Sequence, residues 1–425
     1  MYLHCLMFSL AFGWVSATGN CSYKRLMEHL GLNDDKIQKS IRPVYDSSTP
    51  TNFYVDLFVT SISDVNEKAQ SISTQVIYEA GWISEFIKWN ENEFCETSKI
   101  SLEKDKIWIP DIVIAESIKT EFATMENPYV KTYSSGFVYM YETLTLTSAC
   151  KMDLINFPFD VQTCTLTIHS PMHPSDELTL DTFSDSSFLT SSSQKAFQTQ
   201  GEWELLSINT SKSNMSSLGY YEDQLIYKIT IKRRPLLYII TFISPVFCFL
   251  VLDVASFFID AGGGEKLSFK VTLLLSISVL LLILNDKLPS TANEVPWIGV
   301  YCSLIFILIG ISILEAILVN FLMAKGEQIQ SSEAPLDSTS AVTDSVKDFN
   351  CTSDPASDRN DNQSHVHKNS YTAGDENRAE RRCLYWTRAA RIVDVIAMIL
   401  YIITILVFLA IIYNAWFMAS VTSKV

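Results

Sequence analysis

At 425 residues the chain exceeds the usual size of a single hydrophobic core, so more than one structural unit is expected. Its formal net charge of −15 and pI near 4.9 exclude a nucleic-acid binder, which needs a basic patch that the first half lacks. Long apolar runs are confined to the second half, the pattern of an ectodomain followed by a membrane domain.

The chain opens on an apolar stretch at 5–15 followed by the small residues Ala17 and Gly19, which reads as a secretory signal peptide over 1–19. Sequons at Asn20, Asn209 and Asn214 agree with passage through the secretory lumen and are the predicted glycosylation sites. A short helix is predicted over 26–37. Short β-branched and aromatic runs at 53–62, 75–83, 137–146, 164–169 and 224–232, separated by turn residues, predict an all-β sandwich within an extracellular domain over 20–234. In one run Gln162, Cys164, Leu166 and Ile168 alternate with Val161, Thr163, Thr165 and Thr167, so one of the two faces is expected to be buried. Cys150 and Cys164 enclose thirteen residues and, in a secreted domain, predict a disulfide that stabilises by roughly 3 kcal/mol in the chain-entropy view. Cys21 and Cys95 either pair with each other or do not; the sequence leaves both open.

Four apolar runs follow, at 236–259, 267–284, 297–323 and 392–418. At about 1.5 Å per residue each is long enough, or nearly so, to cross a hydrocarbon layer of about 30 Å. Three transmembrane helices are therefore expected over 235–324 and a fourth, with a short extracellular tail, over 392–425. Between them, 325–391 is rich in Ser, Asp, Asn and Thr and predicts a largely disordered cytoplasmic loop with a basic helix at its end. Arg378, Arg381, Arg382, Arg388 and Arg391, with Lys325, set that side in the cytoplasm. Pro245 inside the first span is tolerable where neighbours satisfy the freed carbonyl.

The second span carries the most informative pattern. Glu265, Ser268, Thr272, Leu275, Val279, Leu282 and Asp286 recur at alternating steps of three and four, so they share one helix face. The stripe passes from a carboxylate and hydroxyls through branched aliphatics to a second carboxylate. An ordinary packing seam has no use for acids at both ends, whereas a water-filled path does. Several copies around an axis would form acidic rings favouring cations such as sodium, potassium and calcium, with a constriction at Leu275 that dewets and closes. Lys266, turned away by about 100° per residue, reads as snorkelling to headgroups or pairing locally. The chain has no Gly-rich phosphate loop, zinc-protease helix or Gly-x-Ser-x-Gly elbow, so an enzyme, a cofactor and a resident metal are not expected.

The segment from Cys150 to Cys164, with its Asn156-Phe157-Pro158-Phe159-Asp160 core, resembles the signature of the Cys-loop pentameric ligand-gated ion channels. Trp108-Ile109-Pro110-Asp111, Gln200-Gly201-Glu202-Trp203-Glu204-Leu205-Leu206, Arg233-Arg234-Pro235-Leu236 and Glu265-Lys266-Leu267-Ser268-Phe269-Lys270 are most similar to the serotonin type 3 receptor branch. The resemblance implies a β-sandwich followed by a four-helix transmembrane domain in a pentamer with four other subunits. It also implies a postsynaptic plasma membrane in contact with lipids, and a small-molecule agonist such as serotonin held between adjacent ectodomains. It assigns Glu116 and either Tyr220 or Tyr221 to the principal face of the ligand site and Tyr129, Tyr141 and Trp203 to the complementary face, where rings suit an ammonium group. It makes Arg234 the coupling residue, expected to meet the Cys150–Cys164 loop and residues 287–293 at the membrane surface. The chain departs from the pattern at Pro171, where an aromatic ring is usual, and at Ile77 and Glu79, in place of an aromatic and a basic residue. His169 and His173 lie beside the altered position, either as solvated loop residues or as a metal or proton sensor. The functional alternatives are thus a transmitter-gated channel subunit, a zinc- or proton-gated channel, and an accessory subunit that binds no agonist.

Overall fold

The computed structural model describes residues 22–32, 37–198, 201–217, 219–259, 264–287, 295–332 and 373–422. The chain divides into two compact units, one formed by Met1–Asp153 and Asp160–Arg234, the other by Leu154–Phe159 and Pro235–Val425.

In the first unit, β1 (Thr51–Asn66), β2 (Ser71–Ile83), β3 (Lys99–Glu103), β4 (Val113–Ile114), β5 (Ser117–Phe122), β6 (Tyr129–Tyr133), β7 (Phe137–Ala149), β8 (Val161–His169), β9 (Leu178–Asp181), β10 (Trp203–Ser217) and β11 (Tyr220–Arg233) build two sheets. The larger runs β3-β6-β7-β2-β1-β9 with β5 paired to β7, and the smaller runs β10-β11-β8-β4. The predicted sandwich is the observed architecture, and its period-two logic holds residue by residue. Along β2, Ile72, Thr74, Val76, Tyr78, Ala80 and Trp82 are buried, and along β8 it is Gln162, Cys164, Leu166 and Ile168 that face inward. Cys150 and Cys164 are bonded, with their Cα atoms 5.1 Å apart. Cys95 is also disulfide-bonded, while Cys21 lies outside the described residues. Gly136, at φ +88°, makes the turn between β6 and β7, where a Cβ would come within 2.4 Å of the Ser84 carbonyl oxygen, so only glycine fits.

One buried polar tie crosses the core. Tyr227 is fully buried and its hydroxyl donates to the Val55 carbonyl at 2.6 Å. Burial, reinforced by the nearby Asp56, pushes that hydroxyl's pKa up, so it stays a donor at all working pH. Tyr227→Phe is expected to lower stability by about 1 kcal/mol, the net worth of one such bond, read as a lower thermal midpoint of the solubilised chain.

The helix predicted over 26–37 is shorter. It forms as α1 (Tyr23–His29) and stops where Gly31 takes a left-handed φ of 65°, a common way to end a helix; residues 33–36 lie outside the described set, and α2 (Ile37–Ser40) is a single turn. A helix with no counterpart among the expectations, α3 (Ser186–Ala196), packs on β1 and β10, burying Leu189 and Ser193, whose hydroxyl accepts from the Val59 N–H at 3.1 Å.

Among the described residues of the second unit, four segments are long and apolar enough to cross a membrane: Leu236–Phe258, Glu265–Asp286, Trp297–Gly326 and Leu384–Phe417. The first comprises α4 (Leu236–Tyr238), a π turn (Ile239–Ile243), α5 (Ser244–Ala255) and a 3-10 turn (Ser256–Phe258); the others lie in α6 (Glu265–Lys287), α7 (Trp297–Ser332) and α8 (Ala373–Thr422). The π turn sits immediately ahead of Pro245, which has no N–H to give, and the Tyr301 hydroxyl donates to the Ile243 carbonyl at 3.3 Å. The backbone of α8 is continuous from 373 onward, so the predicted basic helix and the fourth span are one helix of 50 residues.

Candidate functional site

The end of β8 and the loop after it are braced by three acids that lie just outside strands, Asp111, Glu116 and Glu177. Glu116 accepts from the Thr167 N–H at 2.6 Å and from the Thr167 hydroxyl at 2.7 Å, so its carboxylate shapes β8 before it meets anything else. Asp111 takes the Ser170 hydroxyl at 2.7 Å and the Met172 N–H at 3.0 Å. His173 lies between two of these acids, with Nδ1 2.8 Å from Glu177 and Nε2 3.7 Å from Asp111, and its ring stands edge-on to Trp108. His169 faces Glu222 at 3.7 Å. Pro171 and Met172 are exposed and offer no ring. The β10–β11 hairpin approaches this loop through the Tyr221 carbonyl, which accepts from the Ser175 N–H at 2.7 Å, and it presents the Tyr221 ring 64% exposed. The side chain of Tyr220 lies outside the described residues. Asn209 and Asn214 are exposed on β10, and Asn20 is outside the described set.

Tyr129 and Tyr141 come together on the outer face of the larger sheet. With Tyr139, Asn127 and Lys131 they line a cleft of about 440 Å³. The third residue expected there, Trp203, is not with them. It is 6% exposed on the other sheet, pairs across the hairpin with Arg233, and lies under that guanidinium at 4.2 Å.

Arg233 is itself the residue that sequence reasoning missed. It is 1% exposed; its Nε donates to Asp160 at 2.9 Å, one terminal nitrogen to Glu67 at 2.7 Å and the other to Glu202. Burial alone would lower its pKa, but the charges and hydrogen bonds of Asp160 and Glu67 outweigh burial and hold it above its already high ordinary value. Arg234, the expected coupling residue, is exposed, with its backbone N–H on the Glu202 carbonyl at 2.7 Å. The alternation Leu225, Tyr227, Ile229, Ile231, Arg233 was the available signal, because each of these lies on the inward face of β11. Asp160 closes the segment Leu154–Phe159, which belongs to the second unit. There the Phe157 ring meets Tyr238 at 4.7 Å, the Ile155 carbonyl accepts from the Trp297 N–H at 3.0 Å, and Phe159 lies 5.6 Å from Trp416. Of residues 287–293, the other expected participants, 288–293 lie outside the described set.

On α6, Glu265, Ser268, Thr272, Leu275, Val279, Leu282 and Asp286 are all exposed, whereas Lys266, Lys270, Leu273, Ile277 and Leu284 are buried against the other helices. Lys266 does not snorkel: it reaches Asp394 of α8 at 2.5 Å and Glu315 of α7 at 3.8 Å. Lys270 is fully buried and lies 3.2 Å from Asp253 of α5, which also accepts from Ser312 at 3.1 Å and from the Tyr401 hydroxyl at 2.5 Å. The Phe257 ring covers Lys270 at 4.2 Å and Lys266 at 5.0 Å. One charged network thus joins all four spans.

Two family profiles match the chain: the neurotransmitter-gated ion-channel ligand binding domain over residues 23–235 and the neurotransmitter-gated ion-channel transmembrane region over 242–384. Among curated proteins, the guinea-pig (Cavia porcellus) 5-hydroxytryptamine receptor 3A is 38% identical over 305 residues, 71% of this chain and 61% of that receptor. The human 5-hydroxytryptamine receptor 3E is 33% identical, covering 73% of this chain and 68% of the relative. The rat neuronal acetylcholine receptor subunit beta-3 is 30% identical, covering 73% and 67%. The match to the guinea-pig receptor therefore spans about three fifths of that relative's length.

Proposed function

The chain belongs to the neurotransmitter-gated ion-channel family, whose members are not enzymes, and on that premise we propose that it is one subunit of a cation-selective channel opened by a small-molecule transmitter. Five copies, of this chain alone or with related subunits, would surround a pore lined by α6, in a postsynaptic plasma membrane with the first unit outside. Agonist would bind where the Tyr221 hairpin of one subunit faces the Tyr129 and Tyr141 cleft of the next.

The observation that carries this reading is the two-sidedness of α6. Its stripe from Glu265 to Asp286 is exposed, while Lys266 and Lys270 point into the bundle. Exposure by itself fits lipid as well as water. A lipid-facing stripe, however, has no use for a carboxylate at each end and hydroxyls at Ser268 and Thr272, whereas a water-filled path does. The acids would concentrate cations, and Leu275, Val279 and Leu282 would form the stretch from which water withdraws when the pore closes. Transmission would run from the ligand cleft through the Arg233 cluster to the Leu154–Phe159 tip, because Asp160 bonds Arg233 and directly follows that tip.

Leu275→Ser tests the pore assignment without any agonist. Wetting the constriction is expected to raise spontaneous cation current by about tenfold or more under voltage clamp, since each 1.4 kcal/mol in the open–closed balance is a factor of ten. Surface-expressed Leu275→Ser that carries no more current than wild type would remove α6 from the pore.

A further inference from the structure

Beside the tyrosine-lined cleft on the outer face of β6 and β7, the neighbouring strand β2 carries a carboxylate, Glu79, that nothing in the pore or coupling machinery uses. Glu79 stands directly across from Tyr141 in the β2–β7 ladder, so both side chains leave the same face of the sheet. Tyr139, two residues along on that face, hydrogen-bonds Glu79. Tyr129 of β6 closes the other side of the cleft. Glu79 is half-buried, and Tyr129 and Tyr141 are 50% and 41% exposed, so the rings reach outward past a recessed acid. Burial first, then the Glu79 charge and hydrogen bond, push the Tyr139 hydroxyl up to about 12, which keeps its proton on and its donor directed at Glu79.

From this geometry we propose that Glu79 is the binding residue for the cation of the ligand, and that the cleft selects a primary ammonium over a quaternary one. The inference rests on the reading of this face as one half of the ligand site. A carboxylate offers about four acceptor positions and Tyr139 occupies one, leaving the rest for N–H donors. A primary ammonium brings three such donors; a quaternary ammonium brings none and is held by the carboxylate's charge and the rings alone. Lys131 also lines the cleft, but it is exposed and its charge is screened by solvent, whereas the recessed Glu79 acts at shorter range in a poorer dielectric.

The test uses the full-length chain in lipid nanodiscs, with serotonin as the primary-ammonium probe and choline as the quaternary one. Serotonin is expected to bind about tenfold or more tightly than choline, and Glu79→Gln to weaken serotonin more than choline and so erase that difference. Tyr139→Phe keeps the carboxylate and is expected to keep the preference. If Glu79→Gln does not assemble, Glu79→Asp withdraws the carboxylate by one methylene and is expected to shrink the preference. Serotonin binding unchanged by Glu79→Gln or Glu79→Asp, or no serotonin binding by wild type, overturns the proposal. Spontaneous current through Leu275→Ser needs no ligand, so the channel reading stands or falls separately.

Discussion

Arg233→Met is expected to cost about 3–5 kcal/mol of stability in the first unit and to remove most of the chain from the cell surface. The guanidinium is fully buried and carries bonds to Asp160, Glu67 and Glu202, with the Trp203 ring against it. Methionine keeps an unbranched apolar stem but leaves the buried Asp160 carboxylate without a counter-charge beside Glu67 and Glu202, and that uncompensated charge, more than the lost attraction, sets the cost. Asp160 suffers most, since its side chain is 1% exposed and water cannot take the place of Arg233. Surface biotinylation and the thermal midpoint of the detergent-solubilised chain read the effect. Arg234→Met, at the neighbouring exposed position, is expected to cost less than half as much. Equal losses for the two variants would mean that the buried cluster is not what holds this end of the sandwich.

The contrast between those two arginines shows where the sequence speaks and where it is silent. Period-two and three-four periodicities were legible, because each is a local property of the chain. They identified the sandwich, the two-faced alternation of β8 and the stripe on α6. The same alternation on β11 points to Arg233 as an inward position, whereas the motif resemblance drew attention to Arg234. Trp203 was legible as an aromatic in a matching segment but not as the partner of Arg233, since cross-strand register depends on the whole hairpin. Lys266 was legible as lying off the stripe. What it meets was not, because Asp394 is 128 residues away on another helix. The serine-rich α3 gave no signal because its buried face is only Leu189 and Ser193, and its packing on β1 and β10 supplies what its composition lacks. Faces are local; partners are tertiary.

That distinction yields the second large effect, in the membrane unit. Lys270→Met is expected to destabilise by about 3–5 kcal/mol, because it leaves Asp253 buried without a cation. Both side chains are 0% exposed, and the remaining partners of Asp253, Ser312 and Tyr401, donate hydrogen bonds but carry no charge. A polar group left unpaired at such depth cannot recruit water from hydrocarbon. Asp253→Asn alone leaves the ammonium of Lys270 under the Phe257 ring without its counter-charge and is expected to be comparably costly. The double variant removes both charges while its amide still accepts from Tyr401, so it is expected to recover most of the loss. The coupling between the two sites should then exceed about 2 kcal/mol, within the range measured for residues in one network. Midpoints of the four solubilised proteins close the cycle. Additive losses would mean that the pair does not stabilise the bundle as a pair, and that the cost of each single variant comes from repacking around α5 and α6.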